Sequence, residues 1–115
     1  MVTTEKFRTL SLQFPNVEEK PHFDTTSFQI GGKIFASLEI EKSKACLKLN
    51  VDEQTEFCKM DKAIYPVDNH FGKNGWTYIN IGKIREELLI ETLETTFKIV
   101  KKTKNEETNS IPNNL

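Results

Sequence analysis

Residues 27–40, SFQIGGKIFASLEI, most constrain the fold, because two alternating runs of apolar and polar residues flank a pair of glycines. A tight two-residue hairpin turn requires positive φ angles, which glycine adopts without steric cost. Gly31 and Gly32 therefore predict a β-hairpin. On its second strand, the residues expected on the buried face are Ile34, Ala36, Leu38 and Ile40. Those expected on the opposite face are Phe35, Ser37 and Glu39.

Two further stretches continue this pattern. After a polar turn at residues 41–44, apolar and polar residues alternate over residues 45–51, which predicts a third strand and an antiparallel meander with one apolar face. WTYINI, residues 76–81, alternates in the same way. The proline-interrupted stretch around Glu19–His22 is typical of an edge strand.

Three helices are predicted around these strands. Residues 4–14 form the first, which Pro15 ends. Asp52 is the expected N-cap of a short helix whose Phe57 and Met60 face inward. The last helix is predicted from Lys83 to about Lys102. Its apolar stripe consists of Ile84, Leu88, Leu89, Leu93, Phe97 and Val100.

The order of elements is helix, three or four strands, helix, strand, helix. Strands grouped between helices favour an α+β fold with an antiparallel sheet and the helices on one face. The length of 115 residues fits one domain. We place that domain at residues 1–102 and expect residues 103–115 to form a disordered polar tail.

The charge composition argues against sequence-specific DNA recognition. The net charge is −1, and of the 16 basic residues only Arg8 and Arg85 are arginines, the residue best suited to reading guanine. The chain has two cysteines, no CxxC pair, no signal peptide and no long apolar segment, which predicts a reduced cytoplasmic setting without a membrane.

The stretch PVDNHFGKNGW, residues 66–76, permits two interpretations. Exposed His70, Lys73 and Trp76 would stack on a base and contact a phosphate. Alternatively, the proline and glycines form a turn that places Trp76 at the start of a strand, where it caps the core. We favour the turn, because a single tryptophan is usually well buried.

The chemistry of catalysis and metal binding has little support in the sequence. His22, His70, Cys46 and Cys58 do not fall at a standard zinc spacing. Cys46 is expected on the face of its strand opposite Leu47, but no neighbour in the sequence activates it. We therefore predict no metal, no cofactor and no enzymatic activity.

Several motifs together resemble the MmcQ/YjbR-like family, from about Lys6 to Val100. They are LSLQFPNVEEKPHFDTTSFQIGGKIFASL, then ACLKL, then HFGKNGW with its spacing His70-x-x-Lys73-x-x-Trp76. The resemblance implies a CyaY-like (frataxin-like) α+β fold, in agreement with the order of elements. It also implies DNA binding through a "double wing" of hairpins, and it supplies no catalytic residues.

Two functional hypotheses follow. The first is a monomeric protein that binds DNA weakly and without sequence preference, with lysines of the turns as phosphate contacts: Lys33, Lys42, Lys44 and Lys73. The second is a protein- or small-ligand-binding module without nucleic acid, which uses the His70–Trp76 surface. Its pocket would be formed by His22, Phe35, His70 and Trp76.

Overall fold

The computed structural model describes residues 2–109, with side chains described for residues 2–101. Within these residues, four helices and six strands follow one another along the chain. They are α1 (Thr4–Leu12), β1 (Val17–His22), β2 (Thr25–Ile30), β3 (Lys33–Glu39), β4 (Lys44–Lys48), α2 (Val51–Met60), β5 (Ile64–Pro66), α3 (His70–Lys73), β6 (Trp76–Asn80) and α4 (Glu86–Asn109).

The six strands form one antiparallel sheet in the order β1-β2-β3-β4-β6-β5. The meander of β2, β3 and β4 and the edge strand β1 are as predicted. A row of residues paired across all six strands lies on the face opposite the core: Lys20, Ser27, Ser37, Cys46, Tyr78 and Tyr65. We call this face, which the helices leave uncovered, the open face.

Three helices pack against the other face of the sheet and enclose the core. Phe7 of α1, Phe57 of α2 and Leu89 of α4 are all buried in one cluster with the inward residues of the strands. The rings of Phe14 and Phe97 stack with their centroids 4.6 Å apart. The α+β class with helices on one face of an antiparallel sheet is therefore confirmed.

A β-bulge corrects the predicted alternation in β3. Phe28 pairs with Ala36 but Gln29 pairs with Ile34, so Phe35 is an extra residue in its strand. A bulge shifts the register by one residue and turns the following side chains to the other face. Phe35 is consequently fully buried beside Ala36, whereas Ile34 is 41% exposed on the open face.

The apolar pattern also gave a wrong prediction for one residue at the end of a strand and for one residue at the end of a helix. Ile40, expected inside, lies beyond the end of β3 and is partly exposed. Met60, expected to face inward, is exposed in the last turn of α2, while Phe57 is buried as predicted. Both residues are at the rim of the core, where the periodic pattern no longer corresponds to burial.

The N-cap of α2 is Asn50 rather than Asp52. The Asn50 side-chain oxygen accepts a hydrogen bond from the backbone N–H of Glu53 at 3.0 Å, and α2 begins at Val51. Asp52 lies inside the first turn, where its charge still complements the positive end of the helix dipole. Both residues satisfy the sequence rule for a cap, so the rule alone did not select between them.

The last helix is displaced toward the C-terminus relative to the prediction. It begins at Glu86 instead of Lys83 and continues to Asn109, beyond the predicted end near Lys102. No glycine or proline interrupts residues 83–111, which removes the usual signal for a helix end. Residues 110–115 of the predicted tail lie outside the described residues.

Candidate functional site

The structure divides the seven candidate residues between the two ends of the sheet. Lys33 begins β3, whereas Lys42 follows the end of β3, so the two lysines lie at opposite ends of one strand. At ~3.3 Å per residue these ends are about 20 Å apart. We call the two ends the Trp76 end and the Lys42 end. The candidates at the Trp76 end are Lys33, His70, Lys73 and Trp76, and those at the Lys42 end are His22, Lys42 and Lys44.

Carboxylates neutralise much of the lysine charge at the Lys42 end. The Nζ atoms of Lys42 and Lys44 lie 3.5 and 3.7 Å from the two carboxylate oxygens of Glu39. The Lys44 ammonium also lies 4.2 Å from the centroid of the Tyr78 ring. Asp24 and Glu41 occupy the adjacent turns. This end therefore offers a phosphate little net positive charge.

The Lys42 end also carries the tips of two hairpins. The Ile40 backbone N–H donates to the Asp24 carbonyl at 3.1 Å and joins the β1–β2 tip to the β3–β4 tip. Phe23 at the first tip is 93% exposed and has a positive φ of 59°. Its ring contacts that of His22, with centroids 4.6 Å apart.

At the Trp76 end, two glycines make the loop before β6 sterically possible. A Cβ on Gly72 would lie 1.6 Å from the Val67 carbonyl oxygen. A Cβ on Gly75 would lie 1.8 Å from the Leu49 carbonyl oxygen, and the φ of Gly75 is +105°. The glycines of HFGKNGW thus allow the close backbone approach that sets Trp76 beside β4.

A buried glutamine fixes the same loop. Gln54 of α2 donates from its Nε2 atom to the carbonyl oxygens of Gly72 at 2.9 Å and Trp76 at 3.0 Å. The large majority of buried polar side chains in proteins are hydrogen-bonded in this way. Gln54 therefore ties both ends of the loop to α2, and the sequence analysis did not identify it.

His70 and Lys73 lie on α3, a helix of four residues capped by the Asn69 side chain, which accepts from the Phe71 N–H at 2.9 Å. Both side chains are exposed. The His70 ring contacts the exposed Phe71 ring, with centroids 4.2 Å apart. Lys73 therefore stands at the edge of the Trp76 end, while His70 contacts its neighbour in the sequence.

Trp76 does not cap the core, because Thr77 and Ile79 occupy the buried face of β6. Its ring lies half-buried on the open face, opposite Lys48 of β4. The Lys48 Nζ atom lies 5.6 Å from the centroid of the Trp76 ring and donates to the Asn74 carbonyl at 2.9 Å. This hydrogen bond holds the ammonium group beside the ring.

An open cavity of about 350 Å³ lies beside Trp76. We call it the Trp76 wedge, and its lining residues are Gly32, Lys33, Ile34, Lys48, Trp76 and Val100. Pairing of β3 with β4 reaches only Ala36 and Leu47, and beyond that pair β4 continues with Trp76 of β6. The wedge therefore lies where β3 and β4 are no longer paired.

A buried threonine of α4 stabilises this unpaired region. The Thr96 hydroxyl contacts the carbonyl oxygens of Phe35, at 3.1 Å, and of Lys48. These are backbone acceptors of the two strands just beyond their last pair. Thr92 and Thr96, both fully buried within the apolar stripe of α4, are the signal in the sequence that this helix meets polar backbone groups.

Of the four residues predicted for the pocket of the second hypothesis, only Trp76 lines the wedge. Phe35 lies in the core, with its ring centroid 5.8 Å from that of Phe97. His22 lies at the Lys42 end, on the edge strand furthest from β5. The wedge uses Trp76 but combines it with Ile34, Lys48 and Val100. Sequence analysis missed these three because a bulge and a helix crossing bring them together.

Cys46 lies at the centre of the open face, between Ser37 and Tyr78. Burial raises the pKa of its thiol to about 11. The thiolate is the reactive form of cysteine, so this environment suppresses nucleophilicity at neutral pH. Among the described residues, no group of three or more histidines, cysteines or acids could hold a metal ion.

The sheet order and the arrangement of helices define a small α+β domain whose sheet has one open face. The chain belongs to the YjbR family, whose model matches residues 12–99. Deinococcus radiodurans protein DR2400, solved by crystallography and described as a DUF419 domain, has the same fold with a TM-score of 0.76. It shares 24% identity, and the alignment covers 95% of this chain and 88% of that one.

No curated protein sequence matches the chain at a significant level. Within residues 2–109, no helix is long and apolar enough to cross a membrane.

Proposed function

We propose that this protein is a non-enzymatic module that binds nucleic acid weakly and without sequence preference. The contact surface is the Trp76 end of the sheet. The observation that carries the proposal is the Trp76 wedge, where Lys33, Lys48 and a half-buried tryptophan line one open cavity. Lysines along a groove with an aromatic ring beside them are the usual means of binding nucleic acid without reading its sequence.

The charges around the wedge determine how strongly we expect nucleic acid to bind. Lys33 and Lys48 line its two sides, and Lys73 directly precedes Asn74, whose carbonyl accepts from Lys48. The nearby carboxylates of Asp52 and Asp68 follow β4 and β5 at the same end and reduce the positive potential. A few phosphate contacts in such surroundings favour weak binding that decreases steeply with salt.

The proposal assigns different roles to the predicted lysines. Lys33 and Lys73 remain phosphate contacts, and Lys48 joins them. Lys42 and Lys44 share Glu39 as an ion-pair partner at the far end of the sheet, so a ligand at the wedge does not reach them. This difference provides a matched control within the same chain.

Two further parts of the proposal concern chemistry and location. The raised pKa of the Cys46 thiol supports a module without a cysteine nucleophile. Cys46 and Cys58 are both free thiols, which supports a reducing compartment such as the cytoplasm.

The test compares two charge reversals that change the net charge equally. We expect Lys48→Glu to weaken binding of a labelled short oligonucleotide about tenfold at low salt, equivalent to ~1.4 kcal/mol. It should also make the salt dependence shallower by about one phosphate contact. Lys42→Glu should change the affinity less than about twofold, because its site is remote and ion-paired. Fluorescence anisotropy at low and at physiological salt measures the affinity of the unmodified protein and of the two variants.

Thermal denaturation confirms first that both variants are folded, since Lys48 also donates to Asn74. Lys33→Glu provides a second reversal on the opposite side of the wedge. Equal weakening by Lys42→Glu and Lys48→Glu would mean that overall charge, and not the wedge, governs binding. That result would contradict the assignment of the surface.

A module that binds a small ligand without nucleic acid is the second candidate. The size of the wedge favours it, because about 350 Å³ lies at the lower end of the ~300–1,000 Å³ typical of ligand sites. The Val100 and Ile34 side chains supply an apolar surface and Lys48 a cation, a combination that suits a planar anion. Absence of oligonucleotide binding at low salt would favour this candidate.

A further inference from the structure

The Trp76 wedge is large enough for one small group. Its two sides are the start of β3, with Lys33 and Ile34, and the end of β4 with Trp76 of the next strand. Val100 of α4, only 5% exposed, completes the lining. A cavity of about 350 Å³ between two strands that are no longer paired has the size for a single ring system and not for a folded macromolecule.

The lining of the wedge includes one aromatic and two aliphatic side chains, Trp76, Ile34 and Val100. Ile34 is 41% exposed because the bulge at Phe35 turns it outward, and it lines the same cavity as Trp76. An aromatic ring and a branched aliphatic side chain in one cavity offer apolar surface to a flat ligand. Every nucleobase has a π-face that stacks on such a ring.

The polar groups of the wedge suit an anion attached to that flat group. Lys48 keeps its ammonium at 5.6 Å from the centroid of the Trp76 ring through the hydrogen bond to Asn74. Lys33, the first residue of β3, lines the same cavity. A base against Trp76 would therefore carry its phosphate toward a positioned ammonium group.

Base pairing prevents a nucleotide from using this arrangement. In a duplex, each base is stacked on both faces, and only its edges are accessible from the grooves. The Trp76 ring would contact the face of a base. No arginine lines the wedge, so no bidentate group is available there for the edge of a base. An unpaired nucleotide can stack its base on the Trp76 ring and place its phosphate at the ammonium groups. A duplex can contact only the ammonium groups.

We propose that the Trp76 wedge binds one unpaired nucleotide, with its base against the Trp76 ring and its phosphate at Lys48 and Lys33. This inference rests on the proposed function for the class of ligand and adds that single strands are preferred over duplexes. A free mononucleotide carries the same base and phosphate, so the experiment must distinguish a mononucleotide from a nucleotide within a single strand.

The single tryptophan of the chain makes the wedge directly observable. Trp76 emission is titrated with a short mixed-sequence strand, the same strand annealed to its complement, adenosine monophosphate and ribose phosphate. We expect the strand to quench the emission and to bind at least about tenfold more tightly than the duplex, the order expected from one stacked base. Adenosine monophosphate should quench at higher concentration, and ribose phosphate should not.

Two variants test the position of the base. Trp76→Leu should lower the affinity for the single strand about tenfold by anisotropy and leave the duplex unaffected. Because Trp76 is half-buried and its loss can destabilise the fold, Ile34→Glu is the second variant. It places a carboxylate at an exposed position of the wedge, so quenching of Trp76 by the strand should weaken by at least the same factor.

The outcomes separate this inference from the proposed function. Equal affinity for strand and duplex, or binding of the strand without a change in Trp76 emission, would overturn the unpaired-nucleotide inference while nucleic-acid binding stands. Quenching by adenosine monophosphate without binding of either oligonucleotide would overturn nucleic-acid binding and support the wedge as a nucleotide site. Absence of binding of all four ligands, both by Trp76 emission and by anisotropy, would overturn both.

Discussion

Replacing Gly75 by alanine is expected to lower the free energy of unfolding by about 4 kcal/mol or more, a large part of the ~5–15 kcal/mol typical of a domain. The added Cβ would lie 1.8 Å from the Leu49 carbonyl oxygen, an overlap with backbone that no side-chain movement relieves. Positive φ adds strain, since the residue adopts φ +105°. Chemical denaturation at equilibrium measures the loss.

Gly32→Ala is the matched control for this prediction. Gly32 also has positive φ, +86°, but a Cβ there would meet nothing within 4 Å. Its replacement should cost only the conformational strain, about 1–2 kcal/mol. Similar losses in the two variants would show that strain alone, and not the contact between the loop and β4, makes Gly75 necessary.

The second large effect concerns the bulge in β3. Phe35→Ala should destabilise the protein by about 3–5 kcal/mol, because it removes a fully buried ring. That ring lies in edge-to-face contact with Phe14 and Phe97, at centroid distances of 6.1 and 5.8 Å. Urea denaturation, analysed with the same dependence of unfolding free energy on urea concentration for both proteins, gives the difference in unfolding free energy.

Ile34→Ala is the corresponding control and should cost less than about 1 kcal/mol, because Ile34 is 41% exposed. Simple alternation along β3 predicts the reverse order, with Ile34 inside and Phe35 outside. A larger loss for Ile34→Ala than for Phe35→Ala would therefore contradict the bulged register and the shape of the wedge.

Local patterns predicted most of the fold. Gly31 and Gly32 are both at positive φ in the turn that joins β2 to β3, as the hairpin motif requires. The inward side chains of β6 and the stripe of α4 are buried as their periods of two and 3.6 residues predict. Such signals succeed because each depends on neighbouring residues of one segment.

The features that the sequence did not predict depend on contacts between segments. A bulge forms when two strands adopt a register, and nothing in KIFASLE marks Phe35 as the extra residue. The wedge depends on that bulge, on the end of β3–β4 pairing and on the crossing of α4 at Thr96. Lys48 therefore had no feature in its own strand that distinguished it from an ordinary solvent-facing lysine.

One error was avoidable from connectivity alone. Lys33 and Lys42 flank the same strand, so in any antiparallel meander they lie at opposite ends of the sheet. The assignment of both lysines as phosphate contacts of one DNA ligand did not take this constraint into account. The structure leaves Lys33 with Lys48 and Trp76 at one end, and Lys42 with Glu39 at the other.

The most direct test of the central claim maps the bound surface by nuclear magnetic resonance. ¹⁵N-labelled protein is titrated with a short single-stranded oligonucleotide at low salt. The indole N–H of Trp76 gives a single cross-peak, and we predict that it shifts together with the backbone amides of Lys33, Ile34 and Lys48. Shifts confined to Phe23 and Lys42, with the Trp76 indole unmoved, would place the ligand at the opposite end of the sheet and contradict the account.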